Sequence, residues 1–439
     1  MKKHLILFTL AGLMLTGCFK MDNIEVKENK VEVTDVTLNK ATLNLNVGAS
    51  ETLKATIHPS NATNQNILWQ TSDNKVATVD GTGLVTAIVQ GTATIWVTTV
   101  DGAKTATCTV TVTTPPPSPL FGDGSWYKYY SKTTGPGIDL VFMGDGYTVA
   151  DLNGGKYESD MKRGIDGFFA VYPYSKYKSY FNAYIIGAVS NVSGIGTDGV
   201  PKDTRFKAFH GEGTNMDAEN MDDCIDLYAE KIPGVNRFKS AIVLIANSTK
   251  HGGTNWLYYY EGVKNKAYQV AICPSTSDLA AIVQHEAGGH GFGWLGDEYW
   301  NEGSGLISND RKDRLTTFQN LGFHLNVSIT NDPATVFWKD FIGKSKYSMV
   351  GFYEGAYLFE KGAWRSENHS CMRWNDPYFN APSRYLIVKR IKELAGESFS
   401  MEWFLANDDF ALPTRSYSID VERRRQLPPL APPVMVAIR

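Results

Sequence analysis

The sequence predicts a multidomain chain, in which a small all-β sandwich is followed by a larger α/β (α+β) domain. Short strands with alternating apolar and polar residues, separated by turn signals, fill residues 34–113. A proline run, "TPPPSPL" at residues 114–120, separates this texture from the rest, because proline cannot join a sheet interior. Beyond it, residues 121–415 alternate apolar strand patterns with helical ones. A chain of 439 residues, 43% hydrophobic, is long enough for such domains.

The first 18 residues have the composition of a secretion signal. Two lysines precede an apolar stretch that is too short to span a bilayer, and it ends in "LTGC" at Cys18. This resembles the bacterial lipoprotein signal, which implies acylation of Cys18; the alternative is an ordinary secretion signal. The resemblance predicts an extracytoplasmic lipoprotein of the outer membrane or cell surface of a Gram-negative bacterium. Residues 19–33 are polar and predict a flexible spacer, so the membrane is contacted only through the lipid anchor.

The sandwich at residues 34–113 is similar to a known module. Its stretches "LWQTSDNKVATVDGTGLVTAIVQGTATI" and "TATCTVTV" resemble the bacterial immunoglobulin-like group 2 domains. Two roles remain open for it: a passive stalk, or an adhesion and display unit.

The larger domain contains two nearly continuous apolar runs, "YFNAYIIGAVS" and "FKSAIVLIANS", which predict central strands. "MDAENMDDCIDLYAEKI" predicts a helix that ends before Pro233, and "TSDLAAIVQHEAGGHGF" predicts one capped by Thr276 or Ser277. "SRYLIVKRIKELAG" predicts a late amphipathic helix. Residues 416–439 predict an extended C-terminal tail.

Charge and cysteine content exclude several classes of function. The formal net charge is −3 and no long basic run is present, so no nucleic-acid partner is expected. Apart from Cys18, the four cysteines lie far apart without a C-x-x-C pair, which argues against a cysteine metal site and a dense disulfide scaffold. One or two disulfide bonds remain open.

The stretch "HEAGGHGFGWLGDEY", from His285 to Tyr299, resembles a metallohydrolase motif with one residue too many. In the usual H-E-x-x-H motif the histidines are four apart and share a helix face. His285 and His290 are five apart, so on a regular α-helix they diverge by about 140°. A π-type turn returns residues five apart to one face. The motif therefore predicts an irregular turn at Gly288 and Gly289 that brings the two imidazoles together.

A hydrolytic metal site also needs a third ligand and a carboxylate base. Glu286 is the predicted base. Gly293 is expected to take a positive φ and end the helix, after which Asp297 delivers the third ligand, with Glu298 as the fallback.

Three further residues have open roles. Met372 either packs in the core or forms a methionine turn beneath the metal. His369 is either solvated or a ligand, and Tyr357 either packs or stabilises an oxyanion.

These residues resemble the bacterial IgA-peptidase-like zinc metallopeptidases over residues 135–400. The blocks "IDLVFMGDGYT", "AIVLIANSTKHGGTNW", "VQHEAGGHGFGWLGDEY" and "YEGAYLFEKGAWRSENHSCMR" occur in the family's order. The resemblance implies a metzincin-like zincin domain that binds Zn²⁺ and hydrolyses peptide bonds of proteins or peptides. This chain departs from the commoner family motif by its five-residue histidine spacing, which is also found in dipeptidyl peptidase III.

Two other functions remain open. The chain is either catalytically weak or inactive and serves as a surface binding or adhesion protein, or it is a zinc amidase acting on cell-wall peptides. Immunoglobulin A is not implied as a substrate, because the motifs describe the metal site and not a specificity pocket.

Overall fold

The computed structural model describes residues 30–113, 122–410 and 425–438. The predicted signal at residues 1–18 with Cys18, the linker at 114–120 and most of the spacer lie outside these residues. The chain divides into two compact units, Met1–Thr113 and Thr114–Arg439. Within the described ranges, no helix is both long and apolar enough to cross a membrane.

The first unit is the predicted all-β sandwich. Its nine strands are β1 Asp35–Leu38, β2 Thr42–Asn46, β3 Ser50–Thr52, β4 Ala55–His58, β5 Ile67–Thr71, β6 Ala77–Val79, β7 Leu84–Ala87, β8 Gly91–Thr99 and β9 Thr105–Thr113. They form sheets in the orders β2-β9-β8-β5 and β3-β7-β6, with β1 paired to β4. Alternate residues of β8 and β9 point into one apolar core because side chains alternate between the faces of a strand.

The second unit is the predicted mixed α/β domain. Its strands are β10 Trp126–Tyr130, β11 Ile138–Asp145, β12 Phe181–Ile186, β13 Ala208–His210, β14 Met216–Ala218, β15 Ser240–Ala246, β16 Thr254–Tyr260, β17 Ala267–Pro274, β18 Val327–Ser328, β19 Tyr353–Ala356, β20 Phe359–Arg365 and β21 Val434–Ile438. Seven of them form one sheet, in the order β10-β12-β11-β15-β17-β16-β21. The central strands β12, β11, β15 and β17 are parallel, whereas β16 runs antiparallel to β17. The prediction that the two apolar runs form central strands is confirmed.

The helices of this unit are α1 Val149–Asn153, α2 Lys156–Phe169, α3 Met221–Asp223, α4 Leu279–Val283, α5 Asn309–Leu321, α6 Cys371–Trp374, α7 Ala381–Leu394 and α8 Met401–Asn407. Two π-helices, Cys224–Tyr228 and Gln284–Phe292, continue α3 and α4. Single 3₁₀ turns lie at Lys178–Tyr180, Ala229–Lys231, Arg237–Lys239, Lys339–Phe341 and Ser345–Tyr347.

The sheet separates two apolar cores, because every central strand is buried on both faces. On one face, α2 packs against β11 and β15, and apolar side chains of α4 and α7 belong to the same core as Phe142 and Val243. On the other face, the π-helix Cys224–Tyr228 covers the intervening side chains. In α4 and its π-helical continuation, every residue except Ala280 is buried.

Two local predictions differ from the structure. Residues 216–218 pair with β13 as strand β14, so that helix begins only at Met221. The helix at α4 has Asp278 at its N-cap, and its cap makes no side-chain hydrogen bond, so the predicted cap at Thr276 or Ser277 is wrong. The tail was predicted to be extended, and its residues 434–438 are extended as β21, which pairs with β16 at the edge of the main sheet.

The four described cysteines are all buried, and no disulfide bond forms among them. The two possible bridges left open by the sequence are therefore not made by Cys108, Cys224, Cys273 and Cys371.

Candidate metal centre

The motif helix changes its winding at the histidines. Helix α4 ends at Val283, and Gln284–Phe292 continue it as a π-helix. Its i→i+5 hydrogen bonds bring residues five apart onto one face. The Nε2 atoms of His285 and His290 lie 3.0 Å apart. The predicted irregular winding around Gly288 and Gly289 is confirmed.

The glycines of the motif are required by close packing. A Cβ at Gly289 would overlap the sulfur of Met372, and one at Gly288 would lie 3.0 Å from a ring carbon of Tyr174. A Cβ at Gly293 would lie 2.8 Å from the Gly289 carbonyl oxygen. Gly293 itself has a φ of −77°, so its predicted positive φ is wrong. The chain reverses one residue later, at Trp294, which has a φ of 54°.

The reversal after Trp294 brings Asp297 back to the two histidines. One carboxylate oxygen of Asp297, Oδ1, lies 3.3 Å from Nε2 of His285 and 3.3 Å from Nε2 of His290. All three residues are 1–2% exposed. Within the described residues they are the group of His, Cys, Asp and Glu side chains whose geometry suits a metal ion.

The hydrogen bonds of the imidazoles determine which nitrogen is free for a ligand. Nδ1 of His285 donates to the carbonyl of Cys371 at 3.0 Å, and Nδ1 of His290 donates to the carbonyl of Leu295 at 2.7 Å. A carbonyl only accepts, so in the neutral imidazoles Nε2 carries the lone pair. Two nitrogen lone pairs and a carboxylate oxygen therefore converge, and this arrangement is repulsive unless a cation lies between them.

The size of the triangle fits a small transition metal. Ligand bonds of 2.0–2.1 Å at tetrahedral angles separate the ligand atoms by about 3.3–3.4 Å. The observed separations are 3.0, 3.3 and 3.3 Å. In addition, Oδ1 of Asp297 has no hydrogen-bond donor. The residues present therefore fit a three-ligand site that leaves a fourth position open.

Glu286 lies beside this triangle in an apolar environment. It is 0% exposed, and neither carboxylate oxygen makes a hydrogen bond of normal geometry. Burial raises the pKa of Glu286 to about 8, although His290 acts in the opposite direction. A Cβ at Gly253, in the loop before β16, would lie 3.0 Å from Oε1 of Glu286. The lack of a side chain there leaves the carboxylate next to the first residues of β16.

Comparison with known families identifies both units. Residues 32–110 match the Bacterial Ig-like domain (group 2) model, and residues 130–348 match the IgA Peptidase M64 model, in the order that the sequence predicted. The second unit thus contains an IgA Peptidase M64 domain at residues 130–348. The M64 match includes the whole motif from His285 to Tyr299 and ends before Met372.

Relatives among curated proteins share only short segments with this chain. It is 43% identical over 97 residues to Lacto-N-biosidase of Bifidobacterium bifidum, covering 21% of this chain and 8% of that protein. It is 45% identical over 83 residues to an Ig-like virion protein of Serratia phage KSP90, covering 19% and 32%. It is 40% identical over 84 residues to an uncharacterized protein of Clostridium acetobutylicum, covering 19% and 9%. The chain thus spans less than a third of the length of each of these relatives.

Similar solved structures are domains 4 and 5 of the S-layer protein SbsC and a fragment of intimin in complex with its receptor domain. The first has a TM-score of 0.17 at 20% identity and covers 18% of this chain and 51% of that one. The second has a TM-score of 0.16 at 21% identity and covers 24% and 36%. TM-scores this low do not establish a shared fold.

In the M64 domain, Glu298 points away from the metal triangle, which is the set of ligand atoms of His285, His290 and Asp297. Its carboxylate accepts hydrogen bonds from Ser370, from Asn326 at 2.9 Å and from Asn380 at 2.8 Å. Burial raises the pKa of Glu298, while these donors lower it. Of the two ligand candidates, the structure brings Asp297 to the histidines and uses Glu298 to tie together three distant segments.

Met372 lies directly under the π-helix of the M64 domain. Its sulfur packs against Gly289, and its carbonyl accepts the backbone N–H of Glu298 at 2.9 Å. The preceding carbonyl, of Cys371, orients His285. Met372 therefore packs in the core, as part of α6, against the π-helix that carries the two histidines.

A cavity of about 190 Å³ in the M64 domain reaches Asp297. Tyr357 and His324 line it, and burial raises the pKa of Tyr357 to about 12 and lowers that of His324 to about 3. Sequence reasoning missed His324, which has no motif around it. His369 is not part of this site, because its ring contacts Arg425 at 3.0 Å on a half-exposed surface.

Proposed function

We propose that this peptidase domain is a zinc-dependent endopeptidase that acts outside the cytoplasm. One observation carries the proposal: two imidazole lone pairs and the Asp297 carboxylate converge within 3.3 Å beside the unpaired carboxylate of Glu286. Nitrogen and carboxylate ligands in a tetrahedral set with one open position are typical of catalytic Zn²⁺. The M64 family supports a protein or peptide as the substrate.

His285, His290 and Asp297 are the proposed ligands. When bound, Zn²⁺ supplies a Lewis acid that polarises the scissile carbonyl and lowers the pKa of water. The carbonyls of Cys371 and Leu295 hold the two imidazoles in the tautomer that presents Nε2. This pre-set tautomer removes the need for the rings to reorient on binding.

Glu286 is the proposed general base and acid. Its carboxylate takes a proton from the attacking water and later gives it to the nitrogen of the departing amine. A carboxylate that is buried beside the proposed ligands suits both steps, because burial raises its affinity for a proton.

The test is zinc content together with peptide cleavage. The purified chain is expected to hold about one zinc per chain. Glu286→Gln is expected to retain zinc and to lower kcat by about 10²–10⁴-fold, whereas His290→Ala is expected to lose both. Unchanged cleavage in Glu286→Gln, or unchanged zinc content in His290→Ala, contradicts the proposal.

The same purified protein distinguishes two alternative functions from the proposed endopeptidase. The inactive binding protein was suggested by the inserted residue, which the π-helix accommodates. It gains support only if zinc binds and an unstructured peptide library stays intact. A cell-wall amidase is recognised by release of peptides from peptidoglycan without cleavage of that library.

The extracytoplasmic location rests on the lipoprotein-like sequence that ends at Cys18. Cys18→Ser is expected to shift the chain from the membrane fraction to the soluble fraction and to abolish incorporation of labelled palmitate. Membrane association that persists in Cys18→Ser contradicts the lipid anchor.

A further inference from the structure

The segment from Arg425 to Ile438, here called the strap, passes the proposed catalytic centre. It begins at an ion pair between Arg425 and Asp376 at 3.0 Å and ends as β21, parallel to β16. Between these two attachments, residues 428–433 run beside the loop that precedes β16. That loop is the one that packs Gly253 against Glu286.

Three side chains hold the strap by its backbone carbonyls. Nε2 of His251 contacts the Pro428 carbonyl at 3.1 Å, and its Nδ1 lies 2.8 Å from Asp278. Thr214 donates to the Pro429 carbonyl at 2.8 Å. Tyr299, the last residue of the metal motif, donates to the Leu430 carbonyl at 2.7 Å. His251 donates to both Asp278 and the Pro428 carbonyl only as an imidazolium, because both partners are acceptors. Donors aimed at successive carbonyls recognise a peptide backbone whatever its side chains are.

The strap also closes the space around the metal triangle. Leu430 is 1% exposed, and its side chain belongs to the same apolar core as Ala287 and Leu295 of the motif. Residues 432–435 form one wall of the cavity that reaches Asp297. An endopeptidase has to bind substrate residues on both sides of the scissile bond. The proposed ligands and Glu286 are only 0–2% exposed, so a substrate peptide cannot reach them while the strap is in place.

Without the strap, β16 would be the edge of the sheet, because β21 is its outer neighbour. An exposed edge is a template for an extended peptide, which adds to it as one more strand. The strap itself carries prolines at 428, 429, 432 and 433. Proline has no N–H, so at these positions the strap cannot donate hydrogen bonds. Its hold beside the centre therefore depends on its carbonyls and on Leu430.

We propose that residues 425–438 form an inhibitory strap that fills the peptide-binding channel of the metal centre, and that an extended substrate peptide takes its place. Thr214, His251 and Tyr299 then bind the carbonyls of that peptide, and the edge of β16 aligns it. The inference rests on the proposed peptidase function and adds the substrate channel and its regulation.

The test uses the full chain with Leu430→Asp, which places an unpaired carboxylate in an apolar core and expels the strap. Each of the three hydrogen bonds contributes a factor of about 5, so their loss is expected to raise kcat/KM on an unstructured fluorogenic peptide by about 100-fold. Gln426→Ala, an exposed strap position, is the matched control and is expected to have no effect.

A reversible lock covers the case in which Leu430→Asp does not fold. Trp256 and Val434 are Cα partners in neighbouring strands, so Trp256→Cys together with Val434→Cys places two thiols side by side. The oxidised protein is expected to have lower kcat/KM and slower loss of zinc to a chelator than the same protein after reduction. Equal rates before and after reduction contradict the strap.

Binding without turnover separates this inference from the proposed function. A labelled synthetic peptide with the sequence of residues 425–438 is expected to bind the Leu430→Asp chain and not the parent, also when Glu286→Gln is present. If the labelled peptide binds but the fluorogenic substrate is not cleaved, the binding channel is supported and the proposed peptidase activity is contradicted. If zinc and cleavage are normal but kcat/KM is unchanged in Leu430→Asp and the peptide does not bind, the strap is wrong and the activity stands.

Discussion

Gly289→Ala separates the packing explanation of the motif from simple helix propensity. Alanine is favoured over glycine by about 1 kcal/mol within a helix, so propensity alone predicts a more stable protein. The structure predicts the opposite sign, because a Cβ at Gly289 would overlap the Met372 sulfur and lie 2.8 Å from its methyl carbon. Both residues are completely buried, which leaves the thioether little room to move.

The magnitude follows from the overlap. Forcing one extra methyl into a well-packed core costs about 1–3 kcal/mol. After the propensity gain is subtracted, Gly289→Ala is expected to lower the free energy of unfolding by about 0–2 kcal/mol. Zinc affinity is expected to fall as well, because displacement of Met372 disturbs the neighbouring Cys371 carbonyl that orients His285.

The assay is urea unfolding of the zinc-loaded protein in a double-mutant cycle with Met372→Ala. Met372→Ala alone is expected to cost about 2–5 kcal/mol through the cavity it leaves. Adding Gly289→Ala to it restores contact in place of the clash, so the two changes are expected to be non-additive by about 1–3 kcal/mol in the favourable direction. A stabilising Gly289→Ala, or strict additivity, would refute the packing explanation.

Two further predictions concern carboxylates with different roles. Asp297→Asn is expected to lose zinc from the purified chain. Glu298→Gln is expected to keep zinc but to bind it about 10–100-fold more weakly in chelator competition, because Glu298 is held by Ser370, Asn326 and Asn380. The reverse order of effects contradicts the ligand assignment. Arg384 and Asp408 form a buried pair with two hydrogen bonds, of 2.8 and 3.1 Å, so Asp408→Asn is expected to lower the free energy of unfolding by about 3–5 kcal/mol, and less when combined with Arg384→Met. A loss below about 1 kcal/mol in urea unfolding contradicts a fully desolvated pair.

Patterns among residues close in sequence predicted much of the secondary structure and the winding of the motif helix. The alternating pattern of residues 34–113 indicates a sheet buried on one face, and the apolar runs of the second unit indicate strands buried on both faces. Both patterns can be recognised from consecutive residues. The five-residue spacing of His285 and His290 also constrains local geometry, because a π-turn is the short-range way to return them to one face. Both predictions are confirmed by the sheets and by the π-helix.

Sequence reasoning failed where a specific backbone contact outweighs the preference of the residue type. Gly293 was expected to need a positive φ, but the carbonyls of Gly288 and Gly289 are the reason for its missing side chain, and Trp294 makes the turn. Residues 216–218 have helix-forming neighbours, yet pairing with β13 makes them a strand. In both cases a contact with residues only 4–10 positions away outweighs a propensity difference of a few tenths to 1 kcal/mol.

The sequence by itself determined the order of the two domains, the family resemblance, the winding of the motif helix and the residue types available to a metal. Only the tertiary structure decided between Asp297 and Glu298, because their backbones are adjacent and the choice depends on which side chain faces the histidines and which meets Asn326 and Asn380. It also decided the place of the strap, which no periodicity predicts. Residues 428–430 of the strap take their position from contacts of their carbonyls with Thr214, His251 and Tyr299, and these side chains lie more than 100 residues away along the chain.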